Sequence, residues 1–341
     1  MPGAVLLTGV SGFIARHIAL RLLDSGHAVR GSLRDPARGD ELRAALRPHL
    51  ADPSNVERLS FVALDLEDDA GWAEAAEGVD AVIHTASPFP MSDPKDPQAV
   101  IRPAVEGTLR ALRAANGSGV GRVILTSSIV AVMRSALPEQ RSIRDEDDWS
   151  DPEMPGITPY EISKTLAERA AWDFVAEEGQ ALSLTTILPG FVMGPPIGSD
   201  AGTSIGTIRR ILSGRDPLQP RIGFPVVDVR DVALAHLRAL EREETAGKRV
   251  IVAERFLWFH DMASILKAAH PERRIGTRVA PDWMIRLLGL FDAEVRTITP
   301  ALGKRIEVSN QRARDLLGID FLPADEAVRQ TAASLVGTGR A

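Results

Sequence analysis

Two hydrophobic patterns alternate along the first half of the chain. Short apolar runs, typical of buried strands, are followed by longer segments in which apolar residues recur every three or four positions, as in amphipathic helices. The predicted strands cover residues 4–9, 28–34, 59–66, 80–87, 122–128 and 182–190, and the predicted helices cover residues 13–26, 39–50, 69–78 and 99–116. This alternation predicts an α/β fold built on a doubly wound parallel sheet.

The pattern changes in the second half of the chain. Glycine- and proline-rich connections surround a predicted helix at about residues 204–212, and regular strand and helix patterns return further along. We therefore predict a Rossmann-type domain over residues 1–189, with returning segments at about residues 226–254. Residues 190–225 and 255–341 are expected to form a smaller, mainly helical C-terminal lobe that binds the substrate.

Composition narrows the classes of protein that the chain can belong to. Its 341 residues carry a net charge of −6 and no basic stripe, which argues against a nucleic-acid-binding surface. The chain has no cysteine, which excludes disulfides and thiolate chemistry, and its seven scattered histidines predict no metal site. The N-terminal apolar run is too short for a signal peptide or a membrane span. We expect a soluble, cytoplasmic protein that acts on a small molecule, as a monomer or a homodimer.

Two polar features are interpreted as structural. The acidic cluster at residues 144–149 is expected to be a solvated loop. His84 lies in an apolar run, where a hydrogen-bonded structural histidine is favoured over a catalytic one.

A glycine-rich turn connects the first predicted strand to the first predicted helix. Gly9 and Gly12 can form a tight turn there, and the small Ala15 lets the helix pack closely on the sheet. Backbone N–H groups at the start of such a helix can bind a pyrophosphate. Because a strand precedes the turn and a helix and a second strand follow it, we predict a dinucleotide site rather than a simple turn.

The residue after the second strand indicates which dinucleotide binds. NAD sites usually place an acidic residue there, whereas Arg34 offers a guanidinium that can bind the 2′-phosphate of NADP. NADPH or NADP+ is therefore favoured over NADH, although Asp35 would offer a carboxylate if the strand ended one residue later, and Arg34 could be a plain turn residue. At the end of the third strand, Asp65 is predicted to hydrogen-bond the adenine, with Leu66 against the ring. A helix N-cap is the other interpretation of Asp65.

The only tyrosine of the chain, Tyr160, has Lys164 four residues after it. On a helix these side chains share one face, where an ammonium group is expected to lower the pKa of the phenol. Thr126, Ser127 and Ser128 end a central strand, on the edge of the sheet where ligands bind. A hydroxyl there can bind the carbonyl oxygen that Tyr160 protonates, while Lys164 bridges the nicotinamide ribose and the phenol. The alternative is an unrelated pair of surface side chains.

Together these motifs resemble the extended short-chain dehydrogenase/reductases, in the branch that contains dihydroflavonol reductases, cinnamoyl-CoA reductases and microbial NADPH-dependent aldehyde and ketone reductases. The resemblance rests on "TGVSGFIA" (8–15), "VRGSLRDP" (29–36), "HTASPF" (84–89), "RPAVEGTLRALRAA" (102–115), "TSS" (126–128), "YEISK" (160–164), "LPGFVMGP" (188–195) and "VDVRDVA" (227–233). It implies that Ser128, rather than Ser127, is catalytic together with the tyrosine and the lysine. It also implies that Arg34 binds the 2′-phosphate and that Pro189 lies beside the nicotinamide.

The resemblance implies the remaining site residues as well. Cofactor contacts are expected from Thr8, Gly9, Ser11, Gly12, Phe13, Ile14, Arg34, Asp65, Leu66, Thr85, Ala86, Ser87, Thr126, Lys164, Pro189, Phe191 and Val192. Contacts with the substrate are expected from Pro88, Phe89, Met91, Ile129, Met193 and Phe224. This apolar lining favours an aromatic or medium aliphatic carbonyl compound. Met133 stands where dihydroflavonol reductases carry an asparagine, and the "NWYCY" signature of cinnamoyl-CoA reductases is absent, so flavonoids and CoA thioesters are not expected.

The expected activity is therefore NADPH-dependent reduction of an aldehyde or ketone to the alcohol, reversible as an alcohol dehydrogenase. One alternative is a nucleotide-sugar epimerase or dehydratase, for which Arg209 and Arg210 are the candidate diphosphate-binding residues. The other is an NADP-sensing regulator without catalysis, a kind of protein that usually lacks the tyrosine.

Overall fold

The computed structural model describes residues 3–88, 96–179, 181–198 and 202–340. Two predicted substrate residues, Phe89 and Met91, lie outside these ranges. The strands are β1 (Ala4–Thr8), β2 (Ala28–Leu33), β3 (Leu59–Ala63), β4 (Ala81–His84), β5 (Arg122–Thr126), β6 (Ile143–Arg144), β7 (Ser183–Pro189), β8 (Phe191–Met193), β9 (Leu218–Gln219), β10 (Gly223–Asp228), β11 (Lys248–Val252), β12 (Arg255–Trp258), β13 (Arg278–Val279) and β14 (Glu307–Val308).

The helices alternate with these strands in the first half of the chain and dominate its C-terminal part. They are α1 (Phe13–Asp24), α2 (Gly39–Leu46), α3 (Trp72–Ala76), α4 (Gln98–Gly117), α5 (Val130–Met133), α6 (Pro159–Glu177), α7 (Thr203–Leu212), α8 (Val229–Glu241), α9 (Phe259–Ala269), α10 (Asp282–Leu288), α11 (Ala293–Ile298), α12 (Gln311–Leu317) and α13 (Ala324–Gly337). Within the described ranges, no helix combines the length and the apolar character needed to cross a membrane.

A seven-stranded sheet forms the centre of the molecule, in the order β11-β7-β5-β4-β1-β2-β3. Every neighbouring pair in it is parallel. The chain winds outward from β1 in one direction through β2 and β3, and in the other through β4, β5, β7 and β11. The predicted doubly wound sheet is therefore confirmed, and the point where the winding reverses lies between β1 and β4. Ligands of such sheets bind beyond the carboxyl ends of the strands at this point.

Helices cover both faces of the large sheet. Val5 and Leu7 of β1 pack with α1 and α8 on one face, whereas Leu6 packs with α4 and α6 on the other. Successive strand residues point to opposite faces, so a strand buried on both sides needs an unbroken apolar run, as the sequence has here. Each fully buried leucine contributes about 1.5–3 kcal/mol to folding. These buried strands hold their carboxyl ends in a fixed position for the site above them.

A second, three-stranded sheet lies in the C-terminal lobe. Its order is β12-β10-β8, with β8 parallel and β12 antiparallel to β10. Met193 of β8 is buried against Ile205 and Ile208 of α7, Leu266 of α9 and Val328 of α13. The chain therefore returns to the large sheet only with α8 and β11. Residues 226–228, predicted as part of the returning segment, pair within the small sheet instead.

The acidic segment at residues 144–149 is not a solvated loop, and this prediction was wrong. The carboxylate of Glu146, only 3% exposed, accepts a hydrogen bond of 3.0 Å from the backbone N–H of Ile251. The backbone carbonyls of Glu146 and Asp148 each accept a bond of 2.6 Å from the guanidinium of Arg249. Because Arg249 and Arg312 supply positive charge there, the segment can be buried against the edge of the sheet.

Candidate active site

The helix that carries Tyr160 begins with a capping box. The hydroxyl of Thr158 accepts a 3.3 Å hydrogen bond from the backbone N–H of Glu161, and the carboxylate of Glu161 accepts one of 2.7 Å from the backbone N–H of Thr158. Pro159, at the first helical position, has the backbone angle that a helix start needs. Glu161 also forms a buried ion pair of 2.9 Å with Arg134. The first turn of α6, which includes Tyr160, is therefore held in place from two sides.

Tyr160 and Ser128 meet beyond the end of β5. The two side chains are hydrogen-bonded, and Tyr160 is half-buried. Burial raises the pKa of Tyr160 to about 12 and outweighs the lowering effect of the bond with Ser128. The predicted lowering of this pKa by Lys164 is therefore wrong for this structure. A phenol with this pKa is a proton donor and not a phenolate at neutral pH.

Lys164 lies one helical turn after Tyr160 on α6, as the spacing predicts, and is buried. Burial lowers the pKa of its amine to about 8, while the carboxylate of Glu168, one turn further along, raises it. At neutral pH most of the amine is therefore protonated. The helix places a proton donor, a cation and an anion in succession along one face.

The glycine turn lies directly against the segment that follows β4. Gly9 has a φ of +64°, in the left-handed region that favours glycine. A Cβ atom added to Gly9 would lie 3.0 Å from the Cα atom of Ala86. The turn is closed by a bond of 2.9 Å from the N–H of Gly12 to the carbonyl of Gly9, and the hydroxyl of Ser32 accepts a bond of 2.9 Å from the N–H of Gly9. The backbone at the start of α1 is thus exposed to a ligand at the switch point of the sheet.

Thr8 connects this turn to the end of β4. Its hydroxyl accepts bonds from the backbone N–H groups of Thr85 (3.0 Å) and Ala86 (3.1 Å), so its own proton is donated to Nδ1 of His84 at 2.9 Å. His84 is therefore a hydrogen-bonded histidine, as interpreted from the sequence. Thr8 was predicted to contact the cofactor, but its side chain is fully buried and engaged in these bonds. Its observed role is to hold the residues after β4 against the glycine turn.

Thr126, another residue predicted to contact the cofactor, resembles Thr8 because its hydroxyl also bonds a buried histidine. Its hydroxyl donates a bond of 2.7 Å to Nε2 of His236 on α8, because Nδ1 of that histidine donates to the carbonyl of Val232 at 2.8 Å. The side chain thus ties β5 to α8 and is not available to a ligand. In both threonines the hydroxyl lies within hydrogen-bond reach of a buried histidine, a contact that sequence position alone does not reveal.

Acid should destabilise the fold because three histidines are buried in the neutral form. Burial lowers the pKa of His17 to about 4, that of His84 to about 3 and that of His236 to about 4. Their pKa values in the unfolded chain lie near 6.5, so below that pH the unfolded chain binds more protons and stability falls. Asp231, whose pKa is raised to about 6, and Glu146, whose pKa is also raised, offset part of this loss. We expect the free energy of unfolding to fall by on the order of 2 kcal/mol per pH unit between pH 6 and 4.5.

Urea unfolding at several pH values measures this slope. The variant His236→Gln should have a slope smaller by about 1.4 kcal/mol per pH unit, since one buried titrating group is lost. A wild-type stability that does not change between pH 6 and 4.5 would contradict the expectation.

The corner after β2 contains two arginines. Arg34 is exposed immediately beyond the strand, whereas the carboxylate of Asp35 accepts a 3.0 Å bond from the N–H of Ala37 and caps the short 3-10 helix Pro36–Arg38. Asp35 is therefore engaged in the backbone, and Arg34 is the free candidate of the two. Arg38, which the sequence reasoning missed, lines a small cavity together with Ser11 of the glycine turn. The signal in the sequence was a second arginine four residues after Arg34.

The adenine side of the candidate site lies beyond β3. The carboxylate of Asp65 accepts a 3.0 Å bond from the N–H of Glu67. Helix α3 begins after Gly71, so Asp65 is not its N-cap and that alternative is excluded. Leu66 packs on α4 where the chain has Gly107, at which a Cβ atom would lie 2.6 Å from a methyl carbon of Leu66. Asp65 and Leu66 thus stay the predicted adenine contacts.

Three aromatic side chains form a row in the C-terminal lobe. The ring centroids of Phe191 and Phe224 are 5.1 Å apart, and those of Phe224 and Phe259 are 6.2 Å apart. Phe259, at the start of α9, was not predicted because it is distant in sequence from the other two. In contrast, Met193 is wholly buried in the core of the lobe and Ile129 is only 3% exposed. Core packing explains both of these side chains without a substrate.

Comparison with known proteins agrees with this geometry. The chain belongs to the NAD dependent epimerase/dehydratase family, which matches residues 5–253. Cinnamoyl-CoA reductase 1 of Petunia hybrida is 34% identical over 338 residues, covering 98% of this chain and 92% of that protein. Dihydroflavonol 4-reductase of Zea mays is 33% identical over 285 residues, 81% of this chain and 77% of that protein.

A solved structure extends the similarity over the whole fold. The yeast methylglyoxal/isovaleraldehyde reductase Gre2, complexed with NADPH, superposes with a TM-score of 0.80 at 27% identity, covering 99% of this chain and 100% of that chain. The predicted membership of the extended short-chain dehydrogenase/reductases is therefore confirmed, together with the Rossmann-type fold.

Proposed function

We propose that the protein is an NADPH-dependent reductase of aldehydes or ketones. The observation that carries this proposal is the hydrogen-bonded pair of Ser128 and Tyr160, with Lys164 one turn away, in a sheet that has a glycine turn at its switch point. Similarity to plant reductases and to a yeast reductase crystallised with NADPH supports the same reaction type.

The residues around the glycine turn fit a dinucleotide phosphate. The N–H groups of Gly9 and Gly12 close the turn, and the first N–H groups of α1, at Phe13 and Ile14, lie where a helix start stabilises an anion. Arg34 and Arg38 provide two cations for a 2′-phosphate, with Asp35 bonded to the N–H of Ala37 and Arg38 lying 3.5 Å from the carboxylate of Glu41. NADPH, when bound, supplies the hydride for carbonyl reduction.

The protein's own groups handle the proton and the developing charge. Tyr160, protonated at neutral pH, donates its proton to the carbonyl oxygen of the substrate, and Ser128 donates a hydrogen bond to the same oxygen. The ammonium of Lys164 then favours the phenolate that remains on Tyr160. Ser128 and Lys164 are buried, which strengthens these interactions because water screens them little.

The row of aromatic side chains in the lobe supports an apolar carbonyl substrate. Phe191, Phe224 and Phe259 form a row that suits an aromatic or medium aliphatic group. A sugar nucleotide would instead need cations for its diphosphate, and one of the two candidate arginines, Arg210, is bound to Asp216 through a hydrogen bond of 2.6 Å. We therefore favour the reductase over the epimerase or dehydratase.

A substrate panel tests the proposed function. Purified protein is mixed with NADPH or NADH and with aryl ketones, aliphatic aldehydes, diketones, a dihydroflavonol or cinnamoyl-CoA, and oxidation of the cofactor is followed by its absorbance. We expect oxidation of NADPH with aldehydes or ketones and much less with the last two compounds. Turnover of cinnamoyl-CoA alone would overturn the substrate class. Tight NADPH binding without turnover of any carbonyl would overturn the reductase.

A further inference from the structure

A buried carboxylate lies between the elements that carry the three candidate catalytic residues. Glu168 of α6 accepts hydrogen bonds from the hydroxyls of Ser127 (2.6 Å) and Thr186 (2.7 Å). The guanidinium of Arg249 forms two more bonds with it, at 2.8 and 3.2 Å, and the indole N–H of Trp172 is 3.4 Å away. The side chain of Glu168 is wholly shielded from solvent. All of its acceptor positions are thus occupied by donors from β7, β11, α6 and the residues after β5.

Arg249 is itself held by the acidic segment at residues 144–149. Beyond its bonds to two carbonyls of that segment, its guanidinium stacks 3.6 Å from the ring centroid of Trp149. A buried ion pair contributes little net stability, because desolvating both charges costs about as much as their attraction returns. Stability alone is therefore a weak reason to build so complete a set of partners around one carboxylate.

The position of Glu168 suggests a role in the chemistry. It lies one helical turn after Lys164, and its bond to Ser127 fixes the residue directly before Ser128. We propose that Glu168 is a positioning residue that keeps Lys164 protonated and keeps Ser128 directed at Tyr160. Arg249 pairs with the carboxylate in this arrangement. The role of Glu168 in the reaction rests on the proposed reductase function. Its effect on the charge of Lys164 does not depend on that function.

Among the charged groups around Lys164, the carboxylate of Glu168 supplies the negative charge that acts on its amine. On α6 its neighbours are Tyr160, which is neutral, Glu161, which pairs with Arg134 at 2.9 Å, and Glu168, whose carboxylate raises the pKa of Lys164. His84 of β4 also acts on Lys164, but burial keeps this histidine neutral. Arg249 is paired with Glu168 at 2.8 Å. Loss of the carboxylate should therefore lower the pKa of the Lys164 amine below its value of about 8, and loss of a neutral partner should not.

The variant Glu168→Gln tests this directly, since the amide keeps the size of the side chain and removes the charge. The chain has five lysines, so protein labelled with ¹³C at the lysine ε-carbons gives few signals, and Lys164→Met identifies the one of interest. We expect the titration midpoint of Lys164 to fall by about one pH unit in Glu168→Gln. An unchanged midpoint would overturn the proposal, whatever the enzyme's substrate proves to be.

Thr186→Val is the matched control. It removes one hydrogen bond from the same carboxylate but no charge, so it should lower the thermal midpoint and leave the titration of Lys164 unchanged. If Glu168→Gln does not fold, the double variant Glu168→Gln with Arg249→Met, which leaves no unpaired buried charge, carries the same test. With an accepted substrate, the alkaline limb of the kcat/KM profile should move to lower pH by the same amount. If the titration midpoint of Lys164 falls in Glu168→Gln but the alkaline limb of the kcat/KM profile does not move, the role of Glu168 in catalysis is overturned. Its electrostatic effect on Lys164 would still stand.

Discussion

Replacing Tyr160 by phenylalanine is expected to lower the turnover number for carbonyl reduction by at least about 100-fold. The substitution removes only the hydroxyl that is bonded to Ser128. The carbonyl oxygen then loses its proton donor, while the glycine turn and the arginine corner keep their structure. We therefore expect NADPH affinity to change by less than about threefold. Turnover with an accepted aldehyde at saturating NADPH, and NADPH binding followed by fluorescence, measure the two effects separately.

The thermal unfolding midpoint is the control for this variant, because the phenyl ring keeps the packing of the buried site and the midpoint should remain near that of the wild type. An undiminished turnover number in Tyr160→Phe would exclude this residue as the proton donor. A large loss of NADPH affinity would instead assign Tyr160 to cofactor binding.

Replacing Arg34 by alanine is expected to weaken NADPH binding by about 10- to 100-fold and NADH binding by less than about threefold. The 2′-phosphate is the chemical difference between the two cofactors, and a charge-assisted hydrogen bond to it contributes about 1.5–3 kcal/mol. Arg34 is exposed beyond β2, so its loss should not disturb the core. Dissociation constants for both cofactors, measured by calorimetry at one ionic strength, give the ratio.

Arg47→Ala provides a matched control for this change. Arg47 is a surface arginine paired with Glu57 and does not line the cavity near Ser11. It should leave both affinities unchanged. If Arg34→Ala weakened NADH as strongly as NADPH, Arg34 would have a structural role, and Arg38 would become the remaining candidate for the phosphate.

The parts of the fold that could be predicted are those that depend on local pattern. Strands buried on both faces require unbroken apolar runs and crossover helices require one apolar stripe, so their order follows from the sequence. The pairing of β10 could not be predicted in the same way. Its apolar run over Gly223–Asp228 suits a place in either sheet, and the choice depends on β8 and β12, which are distant in sequence.

The same distinction applies to the candidate site. Its local features could be predicted from the sequence, and contacts between distant residues could not. The positions of Tyr160 and Lys164 follow from helix geometry, and the turn at Gly9 follows from its need for a positive φ. The contacts of Glu168 with Arg249 join residues 81 positions apart and could not be read from spacing. The same holds for the acidic segment, whose burial depends on a cation supplied by a distant strand.

The chain contains a single phenol, and that phenol is the proposed proton donor, half-buried with a pKa raised to about 12. Phenolate absorbs at longer ultraviolet wavelengths than phenol, and no second tyrosine contributes to that difference. The ionisation of this one group can therefore be followed optically in the intact, unlabelled protein.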